Sequence, residues 1–470
     1  MSSSKNNELR VKANQMLDLL NEAEKMDDAS IDDEPPKTKK PKLSLGASAN
    51  NNTDVFISVE NLPPKEMTGV SVFLTKLCAS ICHRLYDHDN NIEEFNDLVP
   101  KEYYEPGYDL GAVGLSTTSP PEKVEIIKFS SNGMYAITNP PTVIVVTGTT
   151  MTIGFRGSQT LPDAISDINF QPTSNFRWAK VGKVVKVFSG MMSCIDDFMV
   201  ENEQLILKTI KERNITELIL TGHSLGGGIA QVGHLWLVGS MNEEYHTPHS
   251  YKQWEELKDK LTVRTVAIEA PQTTAYLQTG YNNDVVAVGE DGYDVATKGT
   301  EFILKCGATM CTTCFASDIV PRLGGYIEEW ALSTLNATLA LKNPIGTVPW
   351  YKRKLKRGGL GIAASFLKKL DVDADDTRIR PLLDVGRKYQ HIGKIIHYES
   401  SDSIPQVYIN DVPGNGLSIS NTYGPSPPPQ FGDINYAFPD TLETIVDVID
   451  WILYNHMFLV NKDHPGLAFA

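Results

Sequence analysis

Nowhere do the 470 residues hold an unbroken run of eighteen apolar side chains, so no stretch qualifies as a bilayer-spanning helix. The start is polar and lacks the apolar core of a secretory leader. An intracellular, cytoplasmic protein is expected. Cysteine is scarce, with six residues unevenly spaced, which fits reduced thiols better than a disulfide framework. Cys311-Thr312-Thr313-Cys314, with Cys306 nearby, has the outline of a metal knuckle or a redox pair. No second Cys/His pair follows at zinc-finger spacing, so free thiols and no metal are expected. Asp371 to Asp376 has the acidity of a calcium loop but not the glycine at position six or the glutamate at position twelve, which excludes an EF-hand. Positive charge is in deficit: 43 Lys and Arg against 58 Asp and Glu leave a net charge of −15, which argues against general nucleic-acid binding.

What is present is a chain that is 41% hydrophobic and long enough to bury a large core. Residues 1 to about 53 are polar and poor in aromatics, the composition of a disordered tail. Within it Leu9, Ala13, Met16, Leu20 and Ala23 share one helical face, a candidate partner-binding helix. The run 35–42, Pro-Pro-Lys-Thr-Lys-Lys-Pro-Lys, is either a nuclear import signal read by an import receptor or a solvated basic tail. The remainder, 54–470, reads as one domain. Val70 to Tyr86 opens it as a helix with Phe73, Leu77, Ile81 and Leu85 on a single stripe.

The centre of the chain carries the chemistry. Gly222-His223-Ser224-Leu225-Gly226 fits the pattern Gly-x-Ser-x-Gly, with the apolar run Glu217 to Thr221 before it and a Gly/Ala/Leu/Val-rich stretch from Leu225 to Met241 after it. Strand, tight turn and helix in that order push a serine hydroxyl out of the sheet at the positive end of a helix. The glycines are required because a Cβ beside so sharp a turn would strike neighbouring backbone. A serine held this way can be activated by a base and can attack an acyl carbon. The competing interpretation is a Gly-rich turn that merely contains a serine.

Such a reaction needs backbone N–H donors for the developing oxyanion. Leu225, the residue after the nucleophile, supplies one. The second is sought after an earlier strand. Val143 to Val146 and Met151 to Phe155 read as strands joined by Thr147-Gly148-Thr149, and the latter ends in Arg156-Gly157-Ser158. Phe155-Arg156-Gly157-Ser158 upstream of Gly-His-Ser-Leu-Gly-Gly resembles the class 3 lipases, the fungal-lipase-like branch of the α/β-hydrolases. The resemblance covers about Val143 to His397 and the segment around His456. It implies an α/β-hydrolase fold, a mostly parallel central sheet flanked by helices, with a helical insertion at about 324–383. It makes Ser158 the second oxyanion donor. It makes Arg156 and Asp167 a structural ion pair supporting the oxyanion loop. The family often has a tryptophan at the hinge of a lid helix where this chain has Ala164, so the likeness does not extend to a lid.

Beyond the elbow, Val263 to Ile268 reads as a strand, followed by Ala270-Pro271, similar to a Gln-Pro turn of the family. Glu301 to Lys305 is the next strand candidate. Ser317-Asp318-Ile319-Val320-Pro321 resembles the family's Asp-x-Val-Pro segment, which makes Asp318 the acid that orients the histidine and steadies its cation. Chain order in this fold is Ser, Asp, His, leaving His391, His397, His456 and His464 as candidate bases. Tyr454-Asn455-His456-Met457 resembles the family's C-terminal Asp/Asn-His segment and ranks first. His391 lies in a segment similar to one whose family histidine is not the base, and His397 lies inside a strand. His456 also suits a plainer role as a cationic cap near the C-terminus of a helix over 441–453.

The resemblance implies a serine hydrolase cleaving carboxylic ester bonds of lipids, with no cofactor and a lipid or ester as substrate. The cluster of lysines and arginines at 351–357, with the apolar residues to 367, is either a contact for an anionic lipid surface or a solvated basic helix end. A lipase-like scaffold without catalysis stands as the alternative, as does a nuclear regulatory protein acting through its tail.

Overall fold

The computed structural model describes residues 65–87, 124–130, 140–157, 172–173, 180–182, 185–245, 252–276, 295–315, 318, 320–322, 389–399, 403–410, 419–421, 456–460 and 467. Several expectations lie outside these residues: the tail at 1–53 with its run at 35–42, Ser158, Ala164, Asp167, the insertion at 324–383 with the basic stretch 351–367, and the helix over 441–453.

A nine-stranded sheet runs in strict chain order: β1 (Glu125–Ser130), β2 (Thr142–Thr147), β3 (Thr150–Phe155), β4 (Glu217–His223), β5 (Thr262–Ile268), β6 (Met310–Phe315), β7 (Gly393–Tyr398), β8 (Gln406–Asn410) and β9 (Ile419–Asn421). β3 to β7 are parallel, and the strands beyond them at either edge pair antiparallel. β3, β4 and β6 are almost wholly buried, as parallel strands covered on both faces must be. A small antiparallel sheet of Pro172–Thr173, Val185–Phe188, Thr274–Tyr276 and Tyr389–Gln390 stands apart from the main one.

The strand order dictates where the helices go. Parallel crossovers are right-handed, so a sheet that advances in one direction puts all its crossover helices on one face. Among the described residues α2 (Ser189–Glu212), α3 (Leu225–Ser240) and α4 (Val295–Gly307) are such helices, and their buried side chains share one core with Leu218 and Leu220 of β4. α3 is buried along its entire length, which explains a composition apolar on every side. The opposite face must be covered by chain from elsewhere. α1 (Val72–Asp87) does so from the N-terminal side, with Cys78 and Cys82 against Ile219 and Val266. The turn Phe458–Val460 does so from the C-terminal side. Phe458 stacks on Phe315 of β6 at 3.9 Å between ring centroids. Burial of such a ring is worth ~1.5–3 kcal/mol, which anchors the C-terminal segment on the sheet.

The lead helix, the strands at Val143 and Met151, the elbow strand and helix, and the strand at Val263 fall where the sequence places them. Glu301 to Lys305 does not form a strand; it lies within α4. Phe302, Ile303 and Cys306 are buried while Leu304 is 44% exposed, a helical spacing that a five-residue window conceals. The strand is Met310–Phe315 instead, whose Cys and Thr content masked it as a thiol motif. In a strand, residues three apart point to opposite faces. Cys311 packs under α1 while Cys314 joins Ile395 and Tyr408, so the Cys-x-x-Cys spacing makes neither a disulfide nor a metal knuckle. All six cysteines are free and buried.

Candidate active site

The elbow forms at the carboxyl end of β4. Ser224 sits at φ 56°, ψ −127°, a conformation costing a non-glycine residue of order 1–3 kcal/mol, held by backbone bonds on both sides. Its N–H donates to Ile268 O of β5 at 2.9 Å, and its carbonyl accepts from Gly228 N at 3.1 Å. The flanking glycines are explained by distance. A Cβ on Gly222 would lie 2.2 Å from the Gly226 carbonyl carbon, and one on Gly226 would lie 2.1 Å from Phe155 O. Leu225 opens α3, so its N–H belongs to the unsatisfied first turn and to the positive end of the helix.

The end of β3 closes on this turn. A Cβ on Gly157 would meet Tyr86 Oη at 2.2 Å, His223 O at 2.5 Å and Ser224 Cβ at 3.2 Å. Gly157 therefore brings the chain entering the proposed oxyanion loop against the nucleophile. Arg156 is buried beside it. Ser158 and Asp167 lie beyond the described residues.

Asp318 and His456, far apart in sequence, meet behind the elbow. His456 Nδ1 is 2.9 Å from Asp318 Oδ2, and both side chains are buried. The second carboxylate oxygen of Asp318 accepts from Val320 N at 3.1 Å, and its own N–H donates to Phe315 O at 3.0 Å, so the acid is fixed at the end of β6. Of the other histidines, His391 Nε2 donates to Pro321 O at 2.7 Å and its ring is buried, which lowers its pKa to about 4 through desolvation. His397 is buried within β7, paired parallel with Cys314. Neither is paired with Asp318, whereas His456 is.

Three further groups at the site carry no signal of role in the sequence. His223 Nε2 lies 2.8 Å from His456 O and 2.9 Å from Glu269 Oε2. The carbonyl can only accept, so Nε2 bears the hydrogen. Nδ1 of the neutral ring then accepts from Tyr86 Oη at 2.8 Å. Tyr86 comes from the last turn of α1, His223 from β4 and Glu269 from the turn after β5. The network thus clamps the backbone of His456 to the elbow. Burial holds the pKa of His223 well below the ordinary histidine value, with the neighbouring His456 acting in the same direction. Burial, and then the charge of Asp318, holds that of Glu269 well above the carboxylate range.

His223, Glu269 and His456 each offer a ligand atom within 4.8 Å of the others. The His223 nitrogen there faces the His456 carbonyl at 2.8 Å with its hydrogen, and so has no lone pair for a cation; the contacts are those of a hydrogen-bonded network. No helix among the described residues is long and apolar enough to cross a membrane.

Residues 152–273, from β3 through the elbow to the turn after β5, match the family model described as lipase (class 3). No curated protein sequence matches the chain. Among solved structures, the chain is similar to the lipase–propeptide complex of Rhizomucor miehei, at 19% identity over 54% of this chain and a TM-score of 0.33. It spans 63% of that structure's length. It is also similar to lipase II from Rhizopus niveus (17% identity, 53% of this chain and 74% of that one, TM-score 0.33). A third is a nonglycosylated lipase of Yarrowia lipolytica (15% identity, 49% and 72%, TM-score 0.30). The fold assignment rests on the parallel strands β3 to β7 and the elbow between β4 and α3. Together they give the chain the α/β-hydrolase fold, and the match over residues 152–273 makes that stretch similar to the class 3 lipases.

Proposed function

We propose that the chain is a serine hydrolase that cleaves carboxylic ester bonds of lipids through an acyl-enzyme. The observation that carries this reading is the pairing of His456 with Asp318 at 2.9 Å beside a serine held at φ 56° on a strand-to-helix turn. Ser224 Oγ attacks the ester carbonyl carbon while His456 Nε2 takes its proton. The oxyanion is held by the N–H groups of Leu225 and Ser158, and Asp318 balances the imidazolium. The imidazolium returns the proton to the departing alcohol. Water, deprotonated by the same imidazole, then releases the fatty acid. The acyl chain, the alcohol and the headgroup are not specified by these residues, so triacylglycerols, smaller acylglycerols and phospholipids are all candidate substrates. The reading extends to an intracellular site and to contact with an anionic lipid surface through 351–367.

The second reading, a catalytically silent lipase-like scaffold, draws on the burial of Ser224, which is 3% exposed. Hydrolysis of p-nitrophenyl esters of increasing chain length and of emulsified acylglycerols, by wild type, Ser224→Ala and His456→Ala, separates the two. Activity lost in both variants supports the hydrolase. A wild type inert on every ester would sink it in favour of the scaffold. An active His456→Ala would move the base to His391.

A further inference from the structure

Glu269 is an expensive residue for its position. It follows β5 at φ 49°, left-handed backbone that a glycine would adopt freely. Its N–H is tied to Thr313 O at 2.7 Å, which links β5 to β6 at the level of the elbow. Its side chain is fully buried. One carboxyl oxygen, Oε2, accepts from His223 Nε2 at 2.9 Å; the other, Oε1, has no hydrogen-bond partner. The strained backbone costs free energy that a glycine would not incur, and the buried carboxyl with an unmatched oxygen costs free energy that an apolar side chain would not. Such costs gather at working sites.

Its neighbours show what the carboxyl is near. Oε2 lies 3.9 Å from His456 Nδ1, the atom that Asp318 Oδ2 holds at 2.9 Å. The titratable groups facing it are His223 from β4, Asp318 beyond β6, His456 from the C-terminal segment and Tyr86 from α1. Its ion-pair partners among the described residues are the two histidines, and the hydrogen that His223 turns toward it also serves the His456 carbonyl. Two ionised carboxylates around one neutral imidazole in a buried site would be mutually destabilising, and one of them keeps its proton. Asp318 receives a backbone N–H as well as the imidazole. Glu269, with its bare oxygen, is the one that stays protonated.

Resting on the reading of Ser224, His456 and Asp318 as a triad, we propose that Glu269 is a second acid for His456. It is a positioning residue that stands protonated in the resting site and replaces Asp318 at Nδ1 when that carboxylate is lost. In wild type the neutral carboxyl holds the His223 N–H, and through it the His456 backbone, without adding a second charge. When Asp318 is neutralised, Glu269 releases its proton to solvent. Oε2 then closes on Nδ1–H by ~1 Å, and the imidazolium formed during attack again has an anion beside it.

The test combines an infrared and a kinetic measurement on the full chain. The carbonyl stretch of a protonated carboxylic acid is expected in the difference spectrum of wild type minus Glu269→Gln at neutral pH. Its absence would show Glu269 ionised and overturn the proposal. That spectrum needs no turnover, so it decides the state of Glu269 even if the protein hydrolyses nothing and the triad reading fails. In the kinetics, Asp318→Asn is expected to lose ~100-fold in kcat, the scale of an ångström's misplacement, rather than the ~10⁴-fold of a triad left with no acid. Its residual activity should rise with pH as Glu269 ionises. The double variant Asp318→Asn/Glu269→Gln should lose a further ~100-fold and that pH dependence, whereas Glu269→Gln alone stays within ~10-fold of wild type. Thermal melts report whether each variant folds. If Glu269→Gln costs the same factor with Asp318 present or replaced, Glu269 is a packing residue and the proposal falls.

Discussion

Replacing Gly157 by alanine tests the placement of the oxyanion arm against the nucleophile. The added Cβ would lie 2.5 Å from the His223 carbonyl oxygen and 2.2 Å from Tyr86 Oη, against an ordinary contact of about 3.4 Å or more. The phenol ring can swing, but the carbonyl is elbow backbone and cannot move without carrying Ser224 along. The end of β3 must therefore withdraw by ~1 Å, and a displacement of that size at reacting groups costs ~100-fold in rate, or ~2.7 kcal/mol of barrier. Loss of one oxyanion donor has the same scale. The assay is kcat and KM on a short p-nitrophenyl ester, with active sites counted by the acylation burst. Gly233→Ala serves as the comparison. Its Cβ would press the Ile195 Cδ1 methyl at 2.8 Å, further along α3 and away from the elbow. That side chain can repack, so a change in melting temperature is expected with kcat kept within about twofold. If Gly157→Ala turns over within about threefold of wild type at full site count, β3 does not abut the reacting serine and the oxyanion assignment loses its support.

Tyr86→Phe removes the hydroxyl that donates to His223 Nδ1 at 2.8 Å. It is expected to lower stability by ~1–3 kcal/mol in denaturant melts, and kcat by up to about tenfold through the loosened His456 backbone. Acidification should also destabilise the fold through His391. Its folded pKa of about 4 lies below the ordinary value of 6.5, so the unfolded chain binds the proton first and stability falls as pH drops through that window. The loss by pH 4.5 should be ~2.5 kcal/mol, and urea melts of His391→Asn should show a correspondingly flatter slope. Burial raises the thiols of Cys82, Cys194 and Cys311 to about 12, so an aromatic disulfide reagent at pH 8 should label the native protein negligibly and react with six thiols in denaturant. Rapid native labelling would contradict the packing of α1 on β6.

The elbow was legible because its chemistry is local. Sharp strand-to-helix turns admit only glycine where a Cβ would meet backbone, and Gly222 and Gly226 record that in the sequence. The strands at Val143, Met151, Glu217 and Val263 were legible because strands buried on both faces are continuous apolar runs. β6 was not, because Met-Cys-Thr-Thr-Cys-Phe buries six residues of which two are hydroxylic. The Thr312 hydroxyl finds its partner across the layers, accepting from Gln231 of α3 at 2.8 Å, a pairing invisible to any window along the chain. Resemblance alone singles out His456 in the sequence. What brings it to Asp318 is the packing of Phe458 on Phe315, a contact between segments more than a hundred residues apart.

Glu269 shows a different limit. It immediately precedes Ala270-Pro271, so its position at a turn is plain, and a glutamate in a turn is ordinarily a solvated residue. Its burial follows from the sheet. Among the described residues the crossover helices α2, α3 and α4 occupy one face, while the N- and C-terminal segments cover the other and flank the site where they meet the strand ends. The last turn of α1 carries Tyr86, and His456 stands just before the C-terminal turn, with His223 bonded to both. A carboxyl at the end of β5 is then buried between them. The strand order that fixes the nucleophile on one side of the sheet thereby encloses a second acid beside the histidine.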